Sequence, residues 1–201
     1  MPGRATLTRR SVLRSLACGT VALGCGVALV PLARAARPGE GEGAGSSPRA
    51  GAGHRRLVLH NTHTLESLAV EYCRDGAYCA SALASVDHVL RDHRNGEVHA
   101  IDPALLDLLH AAAVRAGHDP EFEVISGYRS PLTNALLHER SRGVAAHSLH
   151  MEGRAIDVRL VGCDLAVLRD VALGLERGGV GFYRASQFVH VDTGRVRAWS
   201  G

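Results

Sequence analysis

Aromatic residues are scarce in this chain, because phenylalanine, tryptophan and tyrosine together make up 4% of its 201 residues. The core must therefore rely on leucine, valine, alanine and isoleucine, within a composition that is 46% hydrophobic. A large excess of one charge is also lacking: 23 Lys+Arg stand against 20 Asp+Glu, a formal net charge of +3. We therefore expect no nucleic-acid partner, since such proteins carry a strong basic footprint.

Cysteine is likewise sparse, with five residues and no CxxC pair, which argues against a zinc cluster held by cysteines. A bridge between Cys73 and Cys79 would suit an oxidising compartment, and the sequence leaves the bridged and free forms open. Internal repeats are absent. Histidine, by contrast, is abundant at 12 residues, which directs the search towards a metal site built on imidazoles.

The first 36 residues have the features of an export leader. The run Thr8–Arg14 resembles a twin-arginine signal, and the apolar stretch Ser15–Val30 is short for a membrane span of ~20 residues. A plain secretory signal, an uncleaved anchor and lipid attachment at Cys25 remain alternatives. We expect export to the periplasm or cell envelope, with membrane contact only through the leader if it is uncleaved.

Residues 37–55 are rich in glycine, serine and proline and predict a flexible linker. Residues 56–201 form the expected domain, which we predict to be a monomer. Its fold class is α+β, a compact single domain with a mainly antiparallel sheet flanked by helices. Hydrophobic periodicity and capping signals predict strands at 57–60, 66–72, 122–126, 154–160, 180–183 and 188–192, and helices at 81–92, 103–116, 131–140 and 164–176.

Two segments place potential metal ligands on strand faces that point away from the core. In the first, His150 precedes a strand on which Asp157 takes the face opposite to its apolar neighbours. In the second, His190 and Asp192 share one face while valines take the other. If the two strands are neighbours, His150, Asp157 and His190 can converge on one ion.

Two histidines and one carboxylate are a typical ligand set of catalytic zinc, Zn2+, which keeps its fourth position for water. The metal lowers the pKa of that water towards about 7 and polarises a carbonyl group. Both effects serve amide hydrolysis.

The motif formed by Ser148, His150, Gly153, Ala155 and Asp157 resembles the signature of the zinc D-alanyl-D-alanine peptidase family, which includes VanX-type dipeptidases and shares a hedgehog/DD-peptidase fold. Further segments resemble an exported branch that opens cross-links between diaminopimelate residues in Gram-negative cell walls: 61–64, 126–131, 178–183 and 188–195. The resemblance covers almost all of residues 57–199. It implies a zinc-dependent peptidoglycan hydrolase that binds peptidoglycan peptides, with His190 as the third ligand.

The general base is the point where this sequence departs from the wider family. Many members carry glutamate three residues before the last ligand, and others carry histidine two residues before it; here these positions are Gln187 and Phe188. Asp192 is the first candidate for the base, and its alternative role is to accept a hydrogen bond from a ligand imidazole. Glu152 is a second candidate.

Three further residues are candidates for substrate contact. By family resemblance, Arg129 would clamp a substrate carboxylate or stabilise the oxyanion, with a surface salt bridge as the alternative. Ser148 would orient substrate or cap its loop, and His147 would line the cleft. A D,D- or L,D-carboxypeptidase acting on stem peptides, or a non-catalytic zinc-fold module that binds peptidoglycan, remain competing functions.

Overall fold

The computed structural model describes residues 53–140 and 144–201. The expected leader (1–36) and linker residues 37–52 lie outside the described residues. No helix within the described ranges is both long and apolar enough to cross a membrane. The elements are strands β1 (Arg55–Asn61), β2 (Ser67–Arg74), β3 (Ala77–Tyr78), β4 (Glu121–Ser126), β5 (Ala155–Leu160), β6 (Gly179–Tyr183), β7 (Phe188–Asp192) and β8 (Arg197–Ser200), and helices α1 (Ala80–Val89), α2 (Pro103–Ala116), α3 (Pro131–Arg140) and α4 (Leu165–Leu175), with a 3-10 helix at Leu149–Glu152.

All eight strands belong to one mixed sheet, in the order β3-β2-β1-β4-β5-β7-β6-β8. The pairs β1–β4 and β6–β8 are parallel, and the other pairs are antiparallel. The predicted α+β class with a mainly antiparallel sheet is confirmed. Strand β8 was not predicted, because its four residues are too few to show a period.

Helices α2 and α4 pack against one face of the sheet and close the core. As predicted, α2 begins after Asp102, whose side chain accepts a hydrogen bond from the Ala104 amide, and ends at Gly117 in the left-handed region. The apolar periodicity that predicts α2 from the sequence also predicts a buried Val114, and this is wrong, because its side chain is 60% exposed. Because Val114 lies off the helix stripe formed by the buried leucines, it faces solvent.

The cysteines of the described residues are all free, so the bridge that the sequence allowed between Cys73 and Cys79 is not formed. Cys73 lies directly opposite Tyr78 in the β2–β3 pair, which puts Cys79 one step further along. Successive side chains of a strand point to opposite faces. Cys73 is buried in the core, while Cys79 follows β3 as the N-cap residue of helix α1.

Candidate metal centre

The face of the sheet opposite the core helices carries the predicted metal ligands. Strands β5 and β7 are neighbours, and their register places Asp157 directly opposite His190. His150 reaches the same point from the 3-10 helix that precedes β5. All three side chains are buried. The structure therefore brings together the three residues that the sequence singled out, and they form a group able to hold a metal ion.

The three donor atoms form a nearly regular triangle. His190 Nδ1 lies 2.8 Å from Asp157 Oδ1 and 3.2 Å from His150 Nε2, and His150 Nε2 lies 3.4 Å from Asp157 Oδ1. Zinc bonds of 2.0–2.1 Å in tetrahedral geometry would separate neighbouring ligand atoms by about 3.3 Å. Both the donor types and their spacing thus fit zinc.

Each histidine has its second ring nitrogen held by a hydrogen bond. His150 Nδ1 donates a hydrogen bond to the Gly127 carbonyl oxygen at 2.7 Å, which leaves the lone pair of Nε2 available to bind a metal. His190 Nε2 lies 3.2 Å from Asp192 Oδ2, which leaves Nδ1 available to bind the metal. Such bonds fix the tautomer and the ring orientation of metal-binding histidines.

The electrostatics of His150 and Asp157 suit a bound cation. Burial lowers the pKa of His150, although Asp157 opposes the shift, so the imidazole is kept in the neutral form that binds metals. Burial by itself would raise the pKa of Asp157, but His150 and His190 outweigh it and hold the pKa below its usual range. The site therefore holds an ionised carboxylate beside two imidazoles.

Asp192 is fully buried behind His190 and does not line the cleft. Its carboxylate accepts hydrogen bonds from the amides of Gly179 (3.0 Å) and Gly194 (2.8 Å). It also pairs with Arg197 Nη2 at 2.6 Å. Burial would raise the pKa of Asp192, but bonds from His190, Arg197 and the two amides hold it well below the ordinary value. These contacts favour the orienting role of Asp192 over its role as a base.

The ligand group opens into a cleft of about 470 Å³, lined by Arg129, Val144, Ala145, His147, Ser148, Leu149, His150, Asp157, Tyr183, Ser186, Phe188, His190, Arg197 and Trp199. Ser148 caps the 3-10 helix, because its Oγ accepts a long bond (3.4 Å) from the His150 amide. His147 is exposed at the cleft edge. Asp157 is the one carboxylate that lines the cleft in the described part of the chain.

Arg129 lines this cleft and has few hydrogen-bond partners within the protein. Its Nε is buried without a hydrogen-bond partner, and its two Nη atoms make only long contacts of 3.4 Å to Asn134 Oδ1 and 3.5 Å to Ser126 Oγ. Burial lowers the pKa of Arg129, while Asp157 opposes the shift. A partly desolvated guanidinium with unused donors is suited to bind a carboxylate or a developing oxyanion.

Neither Gln187 nor Glu152 occupies the position of a base. Gln187 is exposed in the β6–β7 turn with a φ of 57°, and its side chain donates to the Arg184 carbonyl. Glu152 is exposed and pairs with Arg154 at 3.0 Å.

Two residues of β8 contact the site although the sequence did not predict them. Arg197 and Trp199 lie opposite Gly179 and Gly181 of β6, on the face that carries the ligands. A Cβ atom on Gly181 would lie 2.6 Å from Trp199 Cε2, and one on Gly179 would lie 2.4 Å from Arg197 Nη1. Glycine at both positions lets these long side chains cross β6 and reach Asp192 and His190. Glycine at alternate positions of one strand was the signal that could have revealed them.

Comparison with known proteins shows which family the chain belongs to. The model of the family Peptidase_M15_2, described as peptidoglycan L,D-endopeptidase MepK, matches residues 49–199. The peptidoglycan L,D-endopeptidase MepK of Escherichia coli strain K12 is 40% identical over 184 residues, which cover 92% of this chain and 94% of that protein. The probable peptidoglycan L,D-endopeptidase MepK of Haemophilus influenzae is 41% identical over 148 residues, 73% of this chain and 80% of that protein. No solved structure matches significantly. The chain therefore belongs to the Peptidase_M15_2 family of peptidases.

Proposed function

We propose that this protein is a zinc-dependent endopeptidase that hydrolyses L,D peptide cross-links in peptidoglycan. The triangle formed by His150 Nε2, Asp157 Oδ1 and His190 Nδ1 carries the proposal, because its edges of 2.8–3.4 Å fit one tetrahedral ion. The names of the relatives add the substrate and the bond type. Zinc held there would supply the Lewis acidity and the activated water that amide hydrolysis requires.

The residues of the chain have separate tasks in this proposal. His150, Asp157 and His190 hold the ion, and Asp192 orients His190 through the hydrogen bond at Nε2. Arg129, whose Nη atoms make only long contacts within the protein, binds a carboxylate of the substrate or the oxyanion that develops at the scissile carbonyl. Ser148 fixes the turn that carries His150, and His147 contacts the substrate from the cleft edge.

A non-catalytic module that binds peptidoglycan is the second candidate function. One observation favours it: Asp157 is the single carboxylate among the described residues that line the cleft, and it belongs to the ligand group. General base catalysis by a second carboxylate, common in metallopeptidases, is therefore not built into this part of the protein. A hydrolase without such a carboxylate must use another group of the cleft to accept the proton of the attacking water.

The products of a digestion experiment separate the two functions. The full chain, loaded with zinc, is incubated with defined cross-linked muropeptides, and the products are identified by mass spectrometry. We expect cleavage of the cross-link that stops with chelator, returns with zinc, and is lost in His150→Ala and Asp157→Ala. His88→Ala, an exposed histidine far along the chain from the site, serves as the control. Bound zinc without any new product would assign the binding function.

The proposal includes export to the periplasm or cell envelope through residues 1–36. The observations behind it are the arginine pair at positions 9 and 10 and a substrate that lies outside the cytoplasm. Replacement of both arginines by lysine should keep the protein in the cytoplasmic fraction if the twin-arginine route is used. Unchanged export of this variant would assign a plain secretory route.

A further inference from the structure

One wall of the cleft is aromatic in a chain that has few aromatic residues. Of its three phenylalanines, one tryptophan and four tyrosines, Tyr183, Phe188 and Trp199 line this single cleft. We call these three residues the aromatic wall. They are only partly buried, so their rings offer apolar surface next to the charged ligand group. Exposed apolar surface in a cleft indicates a binding site for an apolar part of a ligand.

The register of the sheet places this wall directly beside the metal centre. Gly181 is opposite His190 on one side and opposite Trp199 on the other, so Asp157, His190, Gly181 and Trp199 form one row across four strands. Since Gly181 has no side chain, the indole of Trp199 occupies its place, and its centroid lies 5.2 Å from that of the His190 ring. A ligand on the wall is therefore adjacent to the bond being cut.

The wall is also held rigidly. The rings of Tyr183 and Phe188, which are opposite each other in the next row, stack with centroids 4.5 Å apart. Trp199 Nε1 donates to the Tyr183 hydroxyl oxygen at 2.9 Å, which leaves the hydroxyl hydrogen free to be donated. The guanidinium carbon of Arg197 lies over the Trp199 ring, 4.8 Å from its centroid. A preformed surface binds ligand without the entropy cost of ordering flexible side chains.

We propose that the aromatic wall is the subsite for the methylene side chain of the cross-linking diamino acid, with Arg129 taking a carboxylate of the same residue. This inference rests on the proposed function. Where a stem peptide accepts the cross-link through a side-chain amine, the residue beside the cut bond is a diamino acid. Its methylenes form an apolar stem between charged ends, which matches a cleft of about 470 Å³ that is lined by both the aromatic wall and an arginine.

Trp199 provides the measurement, because it is the only tryptophan of the chain. The zinc-loaded full-length protein is titrated with stem tripeptides whose third residue is lysine, ornithine or diaminobutyrate, and Trp199 emission is followed. These peptides keep the same charges and lose one methylene at each step. We expect the dissociation constant to rise about fourfold for each methylene removed, as for burial of one methylene group.

Variants test whether the wall causes this dependence. Phe188→Ala should remove most of the difference among the three peptides, while Tyr78→Ala, an exposed tyrosine at the opposite edge of the sheet, should leave it intact. Equal dissociation constants for all three peptides, or an unchanged series in Phe188→Ala, would overturn the inference. The titration measures binding and does not require hydrolysis. If the dissociation constants follow the expected order but the protein never hydrolyses a cross-link, the proposed function is refuted and the subsite is retained.

Discussion

Exchange of Asp192 for asparagine separates an orienting role from a proton-transfer role for this carboxylate. Asparagine has the same shape but replaces one oxygen by an NH2 group. In the wild type, Oδ1 accepts hydrogen bonds from two backbone amides and from Arg197 Nη1, and Oδ2 accepts from Arg197 Nη2 and His190. Whichever way the amide turns, its NH2 group faces donors, so one set of bonds is lost.

The size of the effect follows from these contacts. Hydrogen bonds to charged groups are worth about 1.5–3 kcal/mol each, but Arg197 is 32% exposed and water will partly replace its partner. We expect a loss of about 2–3 kcal/mol in the free energy of unfolding, or roughly 6–10 °C in Tm for a domain of this size. Zinc affinity should fall about 10- to 100-fold, because His190 loses the acceptor at Nε2.

The assay compares zinc affinity, by competition with a chromophoric chelator, with kcat at saturating zinc. If Asp192 only orients His190, kcat should stay within about tenfold of the wild type once the site is filled. Asp170→Asn, which removes an exposed carboxylate paired with Arg169, is the matched control and should change neither quantity. A kcat reduced a thousandfold with unchanged zinc affinity would refute the orienting role and make Asp192 the base.

Three further predictions concern other parts of the domain. Gly181→Ala should lower the free energy of unfolding by about 1–3 kcal/mol and displace Trp199, whose emission would shift. The control Gly174→Ala in α4, whose new methyl group meets only the flexible end of an arginine, should be neutral or slightly stabilising; equal effects of the two variants would contradict the close approach of Trp199 to Gly181. Arg129→Met should lower kcat/KM about 10²- to 10³-fold. The free energy of unfolding should stay unchanged or rise by up to about 1 kcal/mol, because the half-buried guanidinium lacks good partners; a strongly destabilised variant would show a structural role instead. Burial, Arg94 and the stacked His63 lower the pKa of His93 to about 4, so between pH 6.5 and 4 the unfolded chain binds a proton that the folded chain does not. The free energy of unfolding of the metal-free protein should therefore fall as the pH drops through this window. His93→Gln should remove this part of the pH dependence.

Local signals in the sequence predicted most elements of the fold. Asp102 followed by proline and a later glycine gave the limits of α2, since capping depends on residues next to each other in the chain. Alternation of apolar and polar residues gave β5 and β7 together with the faces of Asp157 and His190. Strand β8 was missed because four residues show too little of a period.

The sequence by itself determined which side chains could bind a metal and which face of its strand each one takes, because both depend on residue type and on a period of two. Only the tertiary structure decided that β5 and β7 are neighbours in a register that sets Asp157 opposite His190. It alone also showed Asp192 buried behind its histidine and Trp199 lying over Gly181. These are contacts between strands far apart in the chain, and strand order and register are set by packing of the whole sheet rather than by any local pattern.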